Sequence, residues 1–340
     1  MQTADGLPPP LWGRVGVGGR DILRDCATPS PGPSPQGGGE WRPTRRSIFV
    51  GLAALFAGAE PVCAQTTLPV VATFTILADL VRQVGGDRVE VVSLVGPNGD
   101  VHAYNPSPAD SRKLAGARLI VENGLNLEGW ISRLAKASAS KARIVIASNR
   151  VTLRKEDADH EHEHGGADPH AWQNVLNAKI YVANILDGLI AVDPSGKADY
   201  EARAKAYLDR LDALDAEVRA AVANIPPDRR RIVTTHDAFG YFGQAYGLEL
   251  AAPTGVSTET AVSARDVGKI IAQVKKDKYP AVFLENVSDV RLIDQIARET
   301  GARIGGTLYS DSLSGSEGPA GTYIDMVRHN ISELTKALAP

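Results

Sequence analysis

The chain has 340 residues, 43% of them hydrophobic and 23% charged, with a formal net charge of −3. That composition supports two packed cores of soluble type, and the near-neutral balance excludes a nucleic-acid binder, which needs a basic face. Cys26 and Cys63 both precede the expected mature start. A disulfide framework and a thiolate metal site are thereby excluded, leaving imidazole and carboxylate as candidate ligands.

The elements begin with targeting. Residues 1–43 are rich in Pro and Gly without hydrophobic periodicity and are expected to be a disordered or over-annotated leader. Residues 44–64 read as a signal peptide. Thr44-Arg45-Arg46-Ser47 is a positive start, Ile48 to Ala59 an apolar run too short to span a bilayer, and Val62-Cys63-Ala64 a cleavage site before Gln65. The arginine pair fits twin-arginine export and the whole fits Sec export, while Glu60-Pro61-Val62 is a poor lipobox. The expected address is the periplasm.

From Leu68 strands and helices alternate, which predicts parallel sheets with crossover helices. Pro69–Phe74, Val89–Val95, Leu119–Glu122 and Ile144–Ala147 read as strands, with helices over Ile76–Val84 and Ser107–Ala115. Asn174–Val192 forms a helix stopped by Asp193-Pro194, and a second runs from Ser195 to about Ala223. Its stripe of Tyr200, Ala204, Tyr207, Leu211, Leu214, Val218 and Ala221 repeats every three or four residues. At about 40 Å long, it fits either a surface helix or a stiff spine between lobes. Beyond Arg231 the alternation restarts. Strands are predicted at Ile232–Thr235, Leu248–Ala251, Ala281–Glu285 and Arg303–Leu308, and helices at Ala238–Tyr246, Ala264–Lys276, Asp289–Thr300 and Ala320–Leu338. The expected fold is α/β: two Rossmann-like lobes, each a mainly parallel sheet with flanking helices, joined by one long spanning helix. The boundaries are 67–194 for the first lobe, with a His-rich loop at 156–166, then 195–224 for the linking helix and 225–340 for the second lobe.

His102, His170 and His236 all fall at strand ends or in loops leading to helices, and Asp311 stands just past a strand. Ligands of open α/β sheets sit at those carboxyl ends. Two candidates belong to each lobe, so they meet only in a cleft between lobes. Three imidazoles and one carboxylate suit a tetrahedral zinc ion and match calcium or magnesium poorly. Spacing alone leaves solvated or hydrogen-bonded histidines as an equal reading.

Asp100-Val101-His102-Ala103-Tyr104-Asn105-Pro106-Ser107-Pro108-Ala109-Asp110 resembles the first signature of the zinc/manganese (cluster A-I) family of periplasmic solute-binding proteins of metal ABC importers. Asp168-Pro169-His170-Ala171-Trp172, Thr235-His236-Asp237-Ala238-Phe239-Gly240-Tyr241-Phe242 and Tyr309-Ser310-Asp311 resemble the second, third and fourth. The resemblance covers roughly Leu68 to Leu338. It implies a two-lobed receptor with a spanning helix, ligand roles for His102, His170, His236 and Asp311, and no enzyme activity. It also implies a monomer that hands metal to an inner-membrane ABC permease with its cytoplasmic ATPase, with a periplasmic zinc chaperone as a further partner. Histidine at the third ligand position is typical of the family's zinc branch, whereas manganese carriers have a carboxylate there. His236 therefore favours Zn2+ over Mn2+ as cargo, with a manganese or mixed-metal receptor as the alternative. Asn105 departs from the glutamate usual before that proline.

Glu285 ends a strand on the same side and reads as an orienter of a ligand histidine, an occasional ligand or a solvated group. His160, His162 and His164 stand in an acidic run that suits weak capture of extra zinc; an inert solvated loop is the other reading. His329 carries no assigned role. A zinc hydrolase would keep one metal position open for water, which Asp311 would fill here, and no His-Glu-x-x-His pair occurs. A zinc buffer or adhesin without a transporter is the alternative within binding proteins. Three histidine ligands predict acid release of metal between roughly pH 7 and 5.

Overall fold

The computed structural model describes residues 67–154, 167–259 and 262–340. The leader, the signal segment and the loop bearing His160, His162 and His164 lie outside the described residues.

The first lobe is built from β1 (Leu68–Ala72), α1 (Thr75–Gly85), β2 (Val89–Ser93), α2 (Pro108–Gly116), β3 (Leu119–Glu122), α3 (Ile131–Ala137) and β4 (Arg143–Ile146). Its four strands lie in the order β2-β1-β3-β4, every pair parallel. The central strands are nearly all apolar, as strands covered on both faces must be. The helix α3 was not predicted: Ile131-Ser132-Arg133-Leu134-Ala135-Lys136-Ala137 is one short stretch with only Ile131 and Leu134 buried, too few apolar positions to show a helical period.

Two long helices follow, α4 (Val175–Val192) and α5 (Lys197–Ala223). Asn174 caps α4 by accepting the Leu176 N–H at 2.9 Å, and Asp193 and Pro194 end it. By length and composition α4 could cross a membrane, but it packs against β3, β4 and α5 with Tyr181, Val182, Ile185 and Leu189 fully buried, as a core helix does. The predicted stripe of α5 is buried from Tyr200 to Val218, and Val222 rather than Ala221 takes its last place. One side of α5 lies on α1 and α4.

The second lobe repeats the pattern with β5 (Arg231–Val233), α6 (Gly240–Tyr246), β6 (Glu249–Ala251), α7 (Ala264–Asp277), β7 (Ala281–Glu285), α8 (Val290–Thr300), β8 (Arg303–Leu308) and α9 (Tyr323–Leu338). The strand order β6-β5-β7-β8, again parallel, matches the first lobe position for position. The strand β5 stops two residues short of the predicted Thr235 because the Thr235 N–H turns to the Glu285 carboxylate at 2.8 Å. The final helix starts at Tyr323 rather than Ala320, since the Thr322 hydroxyl caps it by accepting the Asp325 N–H. Gly247 and Gly301 end α6 and α8 with φ of 79° and 74°, a left-handed turn that costs glycine nothing.

The helix α5 also packs on α9 and α6, so it runs along both lobes and is the spine rather than a surface helix. Buried polar contacts join the lobes around it. The Trp172 indole and the Gln173 amide donate to the Ser310 carbonyl at 3.0 and 2.8 Å, the Tyr323 hydroxyl to the Trp172 carbonyl at 2.7 Å, and the Leu313 N–H to the Thr75 hydroxyl at 2.8 Å. Separating the lobes widely would strand these groups without partners, at a cost of about 1–3 kcal/mol each.

Candidate metal centre

Each candidate side chain is aimed by a local device. In the loop after β2, the Asp100 carboxylate accepts the N–H groups of His102 (2.9 Å) and Ala103 (3.3 Å), a turn that swings His102 inward. Its other oxygen accepts the Thr258 hydroxyl of the second lobe at 2.7 Å. Pro169 breaks the chain before His170, and its carbonyl is held by the Asn123 amide at 2.9 Å. Asp168 Oδ1 accepts the His170 N–H and lies 2.9 Å from Nδ1 of the same ring. His236 follows β5, where Glu285 Oε1 accepts the N–H groups of Thr235 and His236 at 2.8 and 3.0 Å. Asp311 follows β8.

These devices bring His102, His170, His236 and Asp311 together, one ligand atom from each lying within 4.8 Å of all the others. Nε2 of His102 is 3.2 Å from Nε2 of His170, and both rings face the Asp311 carboxylate, at 3.4 and 3.5 Å. Nε2 of His236 is 3.1 Å from Asp311 Oδ2. A tetrahedral sphere with bonds of about 2.1 Å places its ligand atoms about 3.4 Å apart, so these separations fit one ion at the centre. All four residues are buried, His102 the most open at 8%. Both Asp311 oxygens are buried without a hydrogen bond. A carboxylate left so costs heavily unless a cation meets it.

His170 and His236 are each backed on Nδ1 by a carboxylate, Asp168 at 2.9 Å and Glu285 at 2.7 Å, which turns Nε2 toward the centre. The His236–Glu285 pair is close but off the line of a good hydrogen bond. Of the three readings open for Glu285, the orienter is the one this position supports, and it is not solvated. Burial alone would push Asp311 up, but the charges of His236 and His170 win and hold it well below the usual carboxylate range. Burial would likewise lower His236, but Glu285 and Asp311 outweigh it and raise the ring well above the ordinary histidine value. For His102 burial wins over the pull of Asp311 and the ring is lowered. Burial would raise Asp168, yet its bond to His170 and the nearby Arg154 keep it low.

A cavity of about 1040 Å³ opens beside His102, lined by Tyr104, Asn126 and Trp130 of the first lobe and by Ser257 and Glu259 of the second. His102 is the cluster residue that lines it. His329 lies apart, its Nε2 2.9 Å from the Thr307 carbonyl. Asp168, Arg154 and Asp237 join the site without standing at a metal-ligand position. A carboxylate two residues before a ligand histidine is the signal that marks Asp168; nothing in the sequence marks Arg154, whose partners are distant in the chain.

Over residues 70–337 the chain matches the family described as zinc-uptake complex component A, periplasmic. It is 33% identical to the iron-binding protein YfeA of Yersinia pestis over 290 residues, 85% of this chain and 92% of that protein. It is also 33% identical to the manganese ABC transporter substrate-binding lipoprotein PsaA of Streptococcus anginosus over 298 residues, 85% of this chain and 95% of that one. Among solved structures, the periplasmic zinc binding protein TroA from Treponema pallidum superposes with a TM-score of 0.76 at 32% identity, covering 81% of this chain and all of TroA. A manganese-bound periplasmic metal binding protein of Candidatus Liberibacter asiaticus gives a TM-score of 0.74 at 28% identity, covering 80% of this chain. With two parallel α/β lobes on a spine and a buried cluster of three histidines and one aspartate between them, the chain belongs to the zinc-uptake component A family of exported receptors, which bind a metal ion for an ABC importer and are not enzymes.

Proposed function

We propose that this receptor takes Zn2+ as its cargo and holds it through Nε2 of His102, His170 and His236 and the carboxylate of Asp311. The observation that carries this reading is the donor set: three imidazoles to one carboxylate, spaced for a tetrahedral sphere. Neutral imidazole suits zinc and other late first-row ions, whereas harder ions prefer oxygen donors. The third ligand position holds His236, as in the zinc branch that the motifs resemble. Export by the signal at 44–64, weak extra zinc capture at His160, His162 and His164, and delivery as a monomer to the permease belong to the same proposal.

One observation favours a manganese reading. Both oxygens of Asp311 face the histidines, Oδ1 toward His170 and Oδ2 toward His102 and His236. A bidentate carboxylate would add an oxygen ligand for a larger, harder ion. Elemental analysis of the protein purified from its own periplasm, then competition titration of zinc against manganese, separates the two. Zinc bound at one ion per chain and manganese displaced from the site is the expected result; manganese retained against an excess of zinc would overturn it.

A further inference from the structure

Arg154 lies outside the metal cluster and bonds to both lobes. Its N–H donates to the Tyr241 hydroxyl of α6 at 2.9 Å, and its carbonyl accepts the Asp168 N–H at 3.1 Å. Its guanidinium Nη1 donates to Asp168 Oδ2 at 2.8 Å and to Asp237 Oδ2 at 3.2 Å. Asp168 is fully buried, and the Arg154 and Asp237 side chains are only 15% and 13% exposed. Gly240 leaves the space: a Cβ there would stand 2.1 Å from Arg154 Nη1 and 2.2 Å from Cζ.

Asp168 spends one oxygen on His170. With the second oxygen held by a guanidinium the carboxylate cannot rotate, and the plane of the His170 ring is set with it. Asp237 neighbours His236 in the chain, so the same guanidinium ties a histidine site of one lobe to that of the other. Opening the cleft must break Arg154 from Asp237 and Tyr241, while the Arg154–Asp168 pair stays within the first lobe.

We infer that Arg154 is a positioning residue that slows metal release, by fixing His170 through Asp168 and by latching that lobe to Asp237 of the other. The inference rests on His170 being a ligand. One guanidinium nitrogen meets both carboxylates and the planar group fixes its direction, whereas a lysine ammonium keeps the charge on a flexible stem without that fixed geometry.

The test uses the mature protein loaded with zinc or cobalt, with release followed by stopped flow into excess chelator. Arg154→Met is expected to speed release by up to about 10-fold, the lower end of what losing a ligand's own outer partner costs, since it acts on His170 through Asp168, and Arg154→Lys to restore only part of it. Asp237→Asn should speed release less, and the Arg154→Met/Asp237→Asn double variant should be no faster than Arg154→Met alone. The cobalt d–d bands should change in Arg154→Met as the His170 ring loosens. A release rate and cobalt spectrum identical to the parent, with only the metal-free melting temperature lowered, would overturn the inference. If Arg154→Met does not fold, Gly240→Ala pushes the guanidinium aside with its charge intact, and the same two readouts decide. His170→Ala is measured alongside. Parent-like cobalt binding by it sinks the ligand assignment, whereas lost binding with an unchanged Arg154→Met sinks this inference alone.

Discussion

Just past β1 in the first lobe, the Thr73 hydroxyl donates to Glu128 at 2.6 Å; just past β5 in the second, the Thr235 hydroxyl donates to Glu285, also at 2.6 Å. Both glutamates are buried and both accept backbone N–H groups beyond the carboxyl ends of strands, Glu128 those past β3 and Glu285 those past β5, and the two sheets share one strand order. The difference lies in the second oxygen. In the first lobe it accepts the Gly124 N–H at 3.2 Å; in the second it lies 2.7 Å from His236. Burial accordingly pushes Glu128 up to about 7, although Thr73, Asn123 and Gly124 pull it down. Burial acts on Glu285 as well, but the charge of His236 reverses the outcome and lowers it. A carboxylate that accepts the threonine hydroxyl past equivalent strands is a structural brace in the first lobe, reaching from the loop after β3, and part of the electrostatics of the centre in the second, reaching from the end of β7. Without a cationic partner, desolvation decides.

The largest effect should come from removing one ligand in each lobe. His170→Ala and His236→Ala are each expected to abolish tight zinc binding, by more than the roughly 100-fold that losing an outer partner costs. With binding goes the metal-dependent stabilisation, about 4 kcal/mol at a thousandfold excess over Kd. Thermal melts with zinc and with chelator check both variants. If one lobe's variant kept the full shift, the centre would belong to the other lobe alone.

The brace in the first lobe predicts a pH slope. Raising a carboxyl from its ordinary 4.5 to about 7 means the folded state binds the proton more tightly than the unfolded chain. Stability must then fall as pH rises from about 4.5 to beyond 7, by about 3 kcal/mol in all. Glu128→Gln carries no such proton. In metal-free protein, the stability of the parent relative to Glu128→Gln should decline by that amount across the window, read by chemical denaturation. A flat difference would mean that the three donors outweigh burial after all.

How much of this was legible in the sequence follows from which interactions are local. The alternation of strands and helices, the α5 stripe and the four metal-facing residues sit in short segments whose pattern is visible without a fold. Asp100 and Asp168 orient histidines two residues away, so their roles were within reach. The parallel between Glu128 and Glu285 was not, because it depends on β1 and β5, which carry the threonines, occupying matching places in two sheets. Arg154 reaches Asp237 across 83 positions of sequence, and only the closed cleft brings them together. Element ends moved wherever a side chain intercepted a backbone group, as Glu285 does at Thr235.

The histidines divide between the lobes as the glutamates do, and this sharpens the acid-release expectation drawn from ordinary histidine values. His236 is raised well above that range by Glu285 and Asp311, while burial lowers His102. In the metal-free protein His236 therefore keeps its proton to higher pH than His102 does. Metal needs deprotonated rings, so zinc capture should displace the proton that His236 retains, and affinity should rise with pH through the raised His236 range. Calorimetry in buffers of different ionisation enthalpy counts that proton. Glu285→Gln, which removes a carboxylate from beside His236, should reduce the count; an equal count in parent and variant would separate His236 from Glu285.

The smallest effect is expected at α2, directly after the His102 loop, where the first lobe relies on local structure rather than a distant carboxylate. Asp110 Oδ2 accepts the Tyr104 hydroxyl at 2.8 Å and the Ser107 N–H and hydroxyl at 2.9 and 2.7 Å, and Lys113 reaches Oδ1 at 2.8 Å. This is a capping box at the helix start. Burial would raise the carboxyl, but these donors hold it well below the usual range. A depressed carboxyl contributes stability above its unfolded value, near 3.9 by reference, and loses it as pH falls through the folded value. Ser107→Ala and Asp110→Asn should each cost about 1 kcal/mol at neutral pH, and the Asp110→Asn penalty should shrink in acid below pH ~3.9. By contrast α6, after His236, starts at Gly240 with no side-chain cap from Phe239 before it; its histidine depends on Glu285 instead. The α2 variants should therefore lower the melting temperature while zinc affinity stays within about threefold, under the tenfold that a lost outer ligand partner costs. A larger affinity loss in Asp110→Asn would show that the capped helix also aims His102, and that the two lobes orient their histidines by more similar means than Glu128 and Glu285 suggest.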